Sequence, residues 1–479
     1  MRISEVLLAT IVMMGSIGCS VGPRYKRPDV ALPTQFTAPA TTGSADAKAE
    51  PDDQEFWRGF HDPALTRLVE RSLSSNNDLR AALAHYDAAA ALLRLSKFDK
   101  YPTVTLSEDN GRQRLTANQA FGTPRNYRYS SSTVNASWEL DFYGRIRHNV
   151  ESQHQQLLAS GNDLAAMQVA IVGEVASTYI DLREQQERLR VARQNAENEQ
   201  QTVKLVEASY NVGRGTAFDT ARARALYEST SSRIPVLLSA ITLDEHRLAV
   251  LCGQLPDALV AELDVQEPLP DLPENIDPGT PADLIRRRPD VNASEQRLHA
   301  ATEQIGVNTA DLFPQINFAG LLGLMEYHSG SAYDGLSAAN LAALNIDWSF
   351  LDRGRVKARI AASRADGNAL LAQYQQAVLL ALEDVENADT RYVRSREQDA
   401  ALHQAALDSK RAADLANIRY KEGATGLLDL LDAERVELDA EDAYATSHFN
   451  SAAYAVGLYK SLAGGWPQHP PQAFSNGKH

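Results

Sequence analysis

Two stretches of this chain are copies of one another at a distance of 210 residues. Tyr210, Gly213 and Asp219, in YNVGRGTAFDTAR, return as Tyr420, Gly423 and Asp429, in RYKEGATGLLDLLD, and Trp138 returns as Trp348. A spacing held over such different signatures means that one unit has been doubled, so the two halves must fold alike. Each copy of the Tyr–Gly–Asp stretch reads as the end of one helix, a reversal at glycine and the start of another.

The hydrophobic period changes inside each half. Residues 56–100 carry a helical pattern, opened by Asp62 as a cap with Pro63 at the first helical position and stopped by Pro102. From residue 103 the period is two. Val134, Ala136, Trp138 and Leu140 alternate with Asn135, Ser137 and Glu139; Leu344, Ile346, Trp348 and Phe350 alternate with Asn345, Asp347 and Ser349. Partner strands are expected near 103–110 and 315–324. Apolar on one side and polar on the other fits a membrane barrel with a wet interior, and equally a half-buried sheet in a soluble protein. Closed barrels need about eight strands, so four must either stay open or be shared between copies; three copies would give an even count of about twelve.

The rest of each half is helical. Residues 145–212 contain no proline, and a helix over that range would run roughly 100 Å. Between Ile171 and Tyr210, a strict 4–3 spacing meets nine apolar or aromatic residues in twelve positions, with Thr178, Gln185 and Glu199 the exceptions. The same positions shifted by 210 also give nine. This is the coiled-coil period, and helices so long form only when packed on neighbours. Return helices are expected over 217–252, with a kink at Pro235, and over 427–463. The chain therefore divides into a signal peptide (1–18), an extended tether (19–55), a first helix–strand–strand–helix repeat (56–252), a Pro-rich linker crossing the helices (253–281), a second repeat (282–465) and a disordered tail (466–479). The fold class is mainly α with a small β part.

The N-terminus carries an address. An apolar run over 6–17 follows Arg2, and Gly18-Cys19-Ser20 comes next. This resembles a bacterial lipoprotein signal, with Cys19 as the lipidated residue and Ser20 directing the product to the outer membrane. Cys252 then has no intrachain partner. No run of about 18 apolar residues follows Cys19, so any crossing of a membrane falls to strands. The formal net charge of −15 excludes nucleic acid as a partner.

Catalytic chemistry is missing from the pattern. No HExxH, G-x-S-x-G or Gly-rich phosphate loop occurs. The eleven histidines show no ligand spacing, and most are expected on solvated helix faces. Asp244, Glu245 and His246 point in different directions on a helix. Only Met167 and Met325 remain past the signal, too few for a soft-metal relay. No metal and no cofactor other than the lipid on Cys19 is expected.

The set in order (the lipobox, the doubled helix–strand–strand–helix unit, RRRPDV at 286–291, FPQINF at 313–318 and RYKEG…LLDLLDAE) resembles the TolC-like outer-membrane factors, in particular the OprM/NodT-type lipoproteins of tripartite efflux pumps. The resemblance implies a homotrimer with a twelve-stranded outer-membrane barrel continued by a periplasmic α-barrel of long antiparallel coiled-coil helices. It implies a periplasmic adaptor and an inner-membrane RND transporter as partners, and export of drugs or other small toxic compounds without catalysis. Carried over by motif, the periplasmic gate would consist of acidic rings at Asp429 and Asp432, with Arg419, Tyr420 and Asp219 as linking partners. Where some members carry arginine this chain has Thr425, and Arg419 or Arg214 would substitute. The turns Val212-Gly213-Arg214 and Glu422-Gly423-Ala424 would be adaptor-docking tips; they also read simply as C-cap glycine turns. The outer-membrane channel of a type I protein-secretion system and a periplasmic coiled-coil scaffold or adaptor are the alternatives.

Overall fold

The computed structural model describes residues 20–36, 53–120, 125–265, 276, 279–328 and 337–462. The signal peptide, Cys19, parts of the tether and linker, and the tail lie outside the described residues. A 3₁₀ helix, Asp53–Phe60, leads into α1 (Pro63–Ser75) and α2 (Asn77–Phe98). Then come β1 (Thr103–Arg114), the short α3 (Ala117–Ala120), β2 (Asn126–Leu140), α4 (Arg145–Asn211) and α5 (Ala217–Leu251). The second half has α7 (Pro281–Arg287), α8 (Pro289–Ala310), β3 (Gln315–His328), β4 (Ser337–Asp347), α9 (Arg353–Lys421) and α10 (Leu427–Ser461), preceded in the linker by α6 (Val260–Leu263). At 67 and 69 residues, α4 and α9 each run about 100 Å.

The expected helix over 56–100 is broken, and a buried asparagine breaks it. Asn76 is extended (φ −63°, ψ 133°); its Oδ1 accepts from the backbone N–H groups of Asp78 (2.8 Å) and Leu79 (3.1 Å), capping α2. Its Nδ2 donates to the carbonyl of Leu251, 2.9 Å away. The second half solves the same junction with a different side chain. Arg288 separates α7 from α8 and donates to the carbonyl of Ser461, 210 residues beyond Leu251, at 3.0 Å. Both breaks thus tie the start of a repeat to the last turn of its return helix. The helix α5 contains Pro235 within its length. One further expectation changes: β4 ends at Asp347, leaving Trp348 and Phe350 beyond the ladder.

The compact units are not the sequence repeats, because each draws on both halves. One unit comprises Met1–Val30, His85–Gly161 and Ala293–Gln376. It holds a four-stranded sheet in the order β1-β2-β3-β4, antiparallel throughout. Thr103 faces Ser137, Leu140 faces Ile316 and Gln315 faces Asp347, so every strand meets its helix at one end of the sheet. Two tryptophans fasten that end. The indole N–H of Trp138 donates to Lys100 O and that of Trp348 to Leu312 O, each at 3.1 Å. Apolar side chains line one face without cover: Leu106 is 78% exposed, Leu322 67% and Ile346 63%.

The same unit holds the first described residues against helices. His148 joins Glu303 through Nδ1 (2.5 Å) and, through Nε2, meets Ser20 Oγ (2.7 Å) and Val21 O (3.0 Å). The bond to Glu303 raises the pKa of His148. Tyr25 stacks on His299 at 4.1 Å, and Arg27 pairs with Glu295 at 2.8 Å. Most histidines were expected on solvated faces; His148 is an exception, as is His448, which meets Asp399 at 3.1 Å. Their partners stand 155 and 49 positions away, beyond any local spacing rule.

The other unit, Ala31–Ala84, Asn162–Asn292 and Ala377–His479, contains the main core. Trp57, Phe60, Leu65 and Leu68 pack with Val172, Val175 and Tyr179 of α4, Leu248 of α5, Val385 and Tyr392 of α9 and Phe449 and Val456 of α10. Asp62 caps α1, accepting from Ala64 N–H (2.7 Å) and Leu65 N–H (3.0 Å), and also accepts from the buried Tyr179 hydroxyl (2.6 Å). The linker lies on α4, where Arg183 and Gln186 donate to the carbonyls of Val265 and Leu263. Cys252 is fully buried and its thiol is pushed up to about 11 by desolvation, which makes it an inert packing residue.

Candidate functional site

The two tips repeat bond for bond. Gly213 (φ +75°) donates to Tyr210 O (2.9 Å) and Arg214 N–H to Ser209 O (2.9 Å); Gly423 (φ +72°) donates to Tyr420 O (2.9 Å) and Ala424 N–H to Arg419 O (2.8 Å). This is the paired closure of a helix end through a left-handed residue, the conformation that favours glycine. Val212 is 70% exposed, and Arg214, Glu422 and Ala424 also face solvent. The side chains of Val212 and Arg214 therefore stand out from a turn whose backbone groups are satisfied.

Past the turns the halves diverge. Thr216 caps α5 in a reciprocal box: its hydroxyl accepts from Asp219 N–H (3.1 Å), while its own backbone N–H donates to Asp219 Oδ2 (3.0 Å). In the second half Gly426 occupies the cap position and offers no side chain. Asp429, the counterpart of Asp219, is exposed and makes no hydrogen bond or ion pair among the described residues. Asp432 pairs with Arg435 at 2.9 Å, one turn along the same exposed face; the sequence reading had not included Arg435. Arg419 is exposed and unpartnered among the described residues. Tyr420 is half-buried, and burial together with the charge of Asp219 raises its pKa. The structure thus brings Tyr420 near Asp219, and leaves Asp429 and Arg419 with unspent hydrogen-bonding capacity. The hydroxyl of Thr425 is buried without a partner among the described residues.

A small apolar cluster holds the tips from inside, with Val206 of α4, Ala223 of α5 and Leu431 of α10 buried together. Directly behind it lie acids that the sequence reading did not single out. Thr230 donates to Glu199 and Thr202 donates to Glu434, both at 2.9 Å, and the second oxygen of each carboxylate is buried without a partner. Desolvation pushes Glu434 up to about 7, with the Glu199 charge adding to it. Glu437, beside Lys410, is also pushed up to about 7. Glu199 left a trace in the sequence as one of three polar residues in the 4–3 seam; Glu434 left none.

These acids carry a pH dependence of definite sign. The native pKa of Glu434 lies above the ordinary 4.5, so folding favours the protonated form. Its stabilising contribution is whole below about 4.5 and is lost as pH rises towards and through about 7. Amide exchange over 430–440, corrected for intrinsic rate, is expected to quicken over that window in the native protein and to stay flat in Glu434→Gln. Equal pH dependence in both would assign it elsewhere.

Two helix pairs with antiparallel strands between them, turned at glycine tips and doubled along one chain, define a subunit built to line a passage. The family described as outer membrane efflux protein matches residues 68–254 and again residues 280–464. The chain belongs to that family. Nodulation protein T of Rhizobium leguminosarum bv. trifolii is 31% identical over 430 residues, covering 87% of this chain and 88% of that protein. The pyoverdine export outer membrane protein OpmQ of Pseudomonas putida is 31% identical over 478 residues, covering 95% and 96%. Among solved structures, the outer-membrane channel OprN superposes with a TM-score of 0.85 at 38% identity, over 94% of this chain and all of that one. The open-state MtrE channel of Neisseria gonorrhoeae gives 0.81 at 26%, over 93% and 98%.

Proposed function

We propose that this chain is one third of an exit duct in the outer membrane, through which a tripartite pump expels drugs or other small toxic compounds. The observation that carries the reading is the open sheet: among the described residues β1 and β4 have no partner on their outer edges, and one face is apolar and uncovered. Unpaired edges invite further strands, and three copies give about twelve strands, enough to close a barrel. The uncovered apolar face argues against a soluble scaffold, whose sheet would bury it. Relatives named for pyoverdine export and toluene efflux favour small molecules over secreted proteins as cargo.

In this reading Cys19 carries the lipid, and Ser20 and Val21, held by His148, follow directly from it. The tips Val212-Gly213-Arg214 and Glu422-Gly423-Ala424 receive the hairpins of a periplasmic adaptor, which links the duct to an inner-membrane RND transporter. Asp429 and Asp432 form acidic rings at the periplasmic end, with Arg419, Tyr420 and Asp219 as their links. The duct performs no catalysis, and cargo choice belongs to the transporter.

Docking is tested by charge reversal at an exposed tip residue whose side chain makes no bond among the described residues. Arg214→Glu is expected to lower site-specific crosslinking to the adaptor about tenfold while leaving the amount of trimer unchanged. Native-level crosslinking by this variant would remove the tips from the docking surface.

A further inference from the structure

The first hairpin carries a charge pattern that the duct does not require. Residues 110–138 hold Arg112, Arg114, Arg125 and Arg128 and not one carboxylate, in a chain whose net charge is −15. Strand register places two of these arginines on a defined surface. The β1–β2 ladder runs without a bulge from Thr103↔Ser137 to Arg114↔Asn126. Side chains two residues apart share a face, so Arg112 lies on the same face as Val104 and Leu106, and Arg128 on the same face as Val134 and Trp138. That is the uncovered apolar face.

The apolar rows on this face are bounded. They extend from Leu140, Ile316 and Ile346 at the helical end to Val134, Leu324 and Ala338. Eight residues of β4 cover about 27 Å of strand, or about 20 Å of height at a tilt near 40°. Trp348 at the base extends this towards the thickness of the hydrocarbon layer. Beyond the band the rows turn polar and satisfy themselves: Ser130 donates to Asn110 at 2.6 Å, and Asn110 donates to Glu108 at 3.1 Å. In the following row Arg112 stands directly opposite Arg128. Both are exposed, and neither has a hydrogen bond or ion pair among the described residues.

Like charges facing each other across a ladder destabilise it, so an anion bound between them would offset the repulsion. Its position supplies one. Four residues beyond the last apolar row of β3 is about 13 Å along the strand, which is headgroup depth at the end of the sheet away from the helices. Guanidinium groups are suited to bidentate binding of phosphate. We propose that Arg112 and Arg128 form a lipid-facing site for the phosphate groups of the glycolipid that fills the outer leaflet of the outer membrane. The inference rests on the reading that the apolar face meets that membrane.

The test uses the purified trimer in detergent, with bis-phosphorylated lipid A as the probe and native mass spectrometry as the readout. Binding is expected to the native protein, at least about tenfold weaker in Arg112→Ser/Arg128→Ser and only slightly reduced in Arg112→Lys/Arg128→Lys. Dephosphorylated lipid A is expected to bind the native protein no better than it binds the serine variant. Arg112→Gln alone, on the outer edge strand, should weaken binding severalfold and serves if the double variant does not assemble. Without lipid the serine variant should melt no lower than the native protein, since a repulsive pair is gone. Equal retention of lipid A by native and variant trimers would overturn the proposal. So would equal binding of the dephosphorylated lipid, or displacement of lipid A by millimolar inorganic phosphate, which would make this a free-anion site. Trimer assembly and conductance are read on the same samples. A native channel that assembles and conducts yet binds no lipid A refutes the site alone, whereas a native protein that forms no trimer refutes the duct.

Discussion

Replacing Asp429 and Asp432 together by alanine is expected to raise single-channel conductance in planar bilayers about threefold or more. Among the described residues Asp429 has no partner, and Asp432 is held only by the exposed Arg435 one turn away. Brought together around a three-fold axis, carboxylates about 6 Å apart would repel by roughly 3 kcal/mol per pair at an effective dielectric near 20. A closed ring is then tolerable only if guanidinium and phenol groups bind it across subunits, and Arg419 and Tyr420 stand just before the tip as candidate donors. Without the aspartates those donors lose their acceptors and the links go with them. Cation preference should fall in the same experiment. Arg435→Ala, which removes only the intrahelical pairs to Asp432 and Asp439, should leave conductance close to native. Unchanged conductance in the double aspartate variant would remove the gate assignment.

A second large effect is expected far from the tips. Gly323→Val should abolish the trimer. A Cβ at Gly323 would stand 2.3 Å from the carbonyl oxygen of Ser132 and 2.7 Å from the Cα of Thr133. Those are backbone atoms of β2, so relief means parting β2 from β3. That ladder, Arg128↔His328 to Leu140↔Ile316, is the only strand pairing between the two repeats among the described residues. A strand glycine under such close backbone approach is there because nothing larger fits. Gly320 is the control. Its nearest neighbours lie at 3.5 Å or more, so Gly320→Ala should assemble normally. The measurement is the fraction of heat-modifiable trimer on a semi-native gel; full assembly of Gly323→Val would show that the β2–β3 register is wrong.

Much of this architecture could be read from residue spacing because the signals are periodic. The 4–3 seam from Ile171 to Tyr210 places the long helix, and Gly213 with Gly423 places the turns to within a residue. The alternation from Val134 to Leu140 fixes which side of β2 is apolar. The strands nevertheless run further than the alternation does. β1 continues to Arg114, and β2 begins at Asn126, because hydrogen bonding extends the ladder where both faces are polar and no period remains to be counted. The helix break at Asn76 was hidden for a different reason. An asparagine becomes a helix cap only when a distant carbonyl, here that of Leu251, holds it in place.

The site was legible in its parts and not in its pairings. Asp219 and Asp429 are equivalent in sequence. Thr216 gives the first a cap to close, while Gly426 leaves the second open. Arg435 was overlooked beside Asp432, although a separation of three residues is enough to find such a pair on a helix. Glu434 could not have been found this way. Its raised pKa comes from burial against α4, where Thr202 and Glu199 meet it, and a helix's own sequence does not say which polar residue its neighbour will cover.

The claim on which everything else rests is that one chain supplies a third of a closed barrel. Electron-microscope images of detergent-solubilised particles, viewed down the axis, test it most directly. Three-fold symmetric rings with a mass of three chains are the expected result. A monomer that stays in solution without detergent, its four-stranded sheet covered by its own chain, would contradict the account.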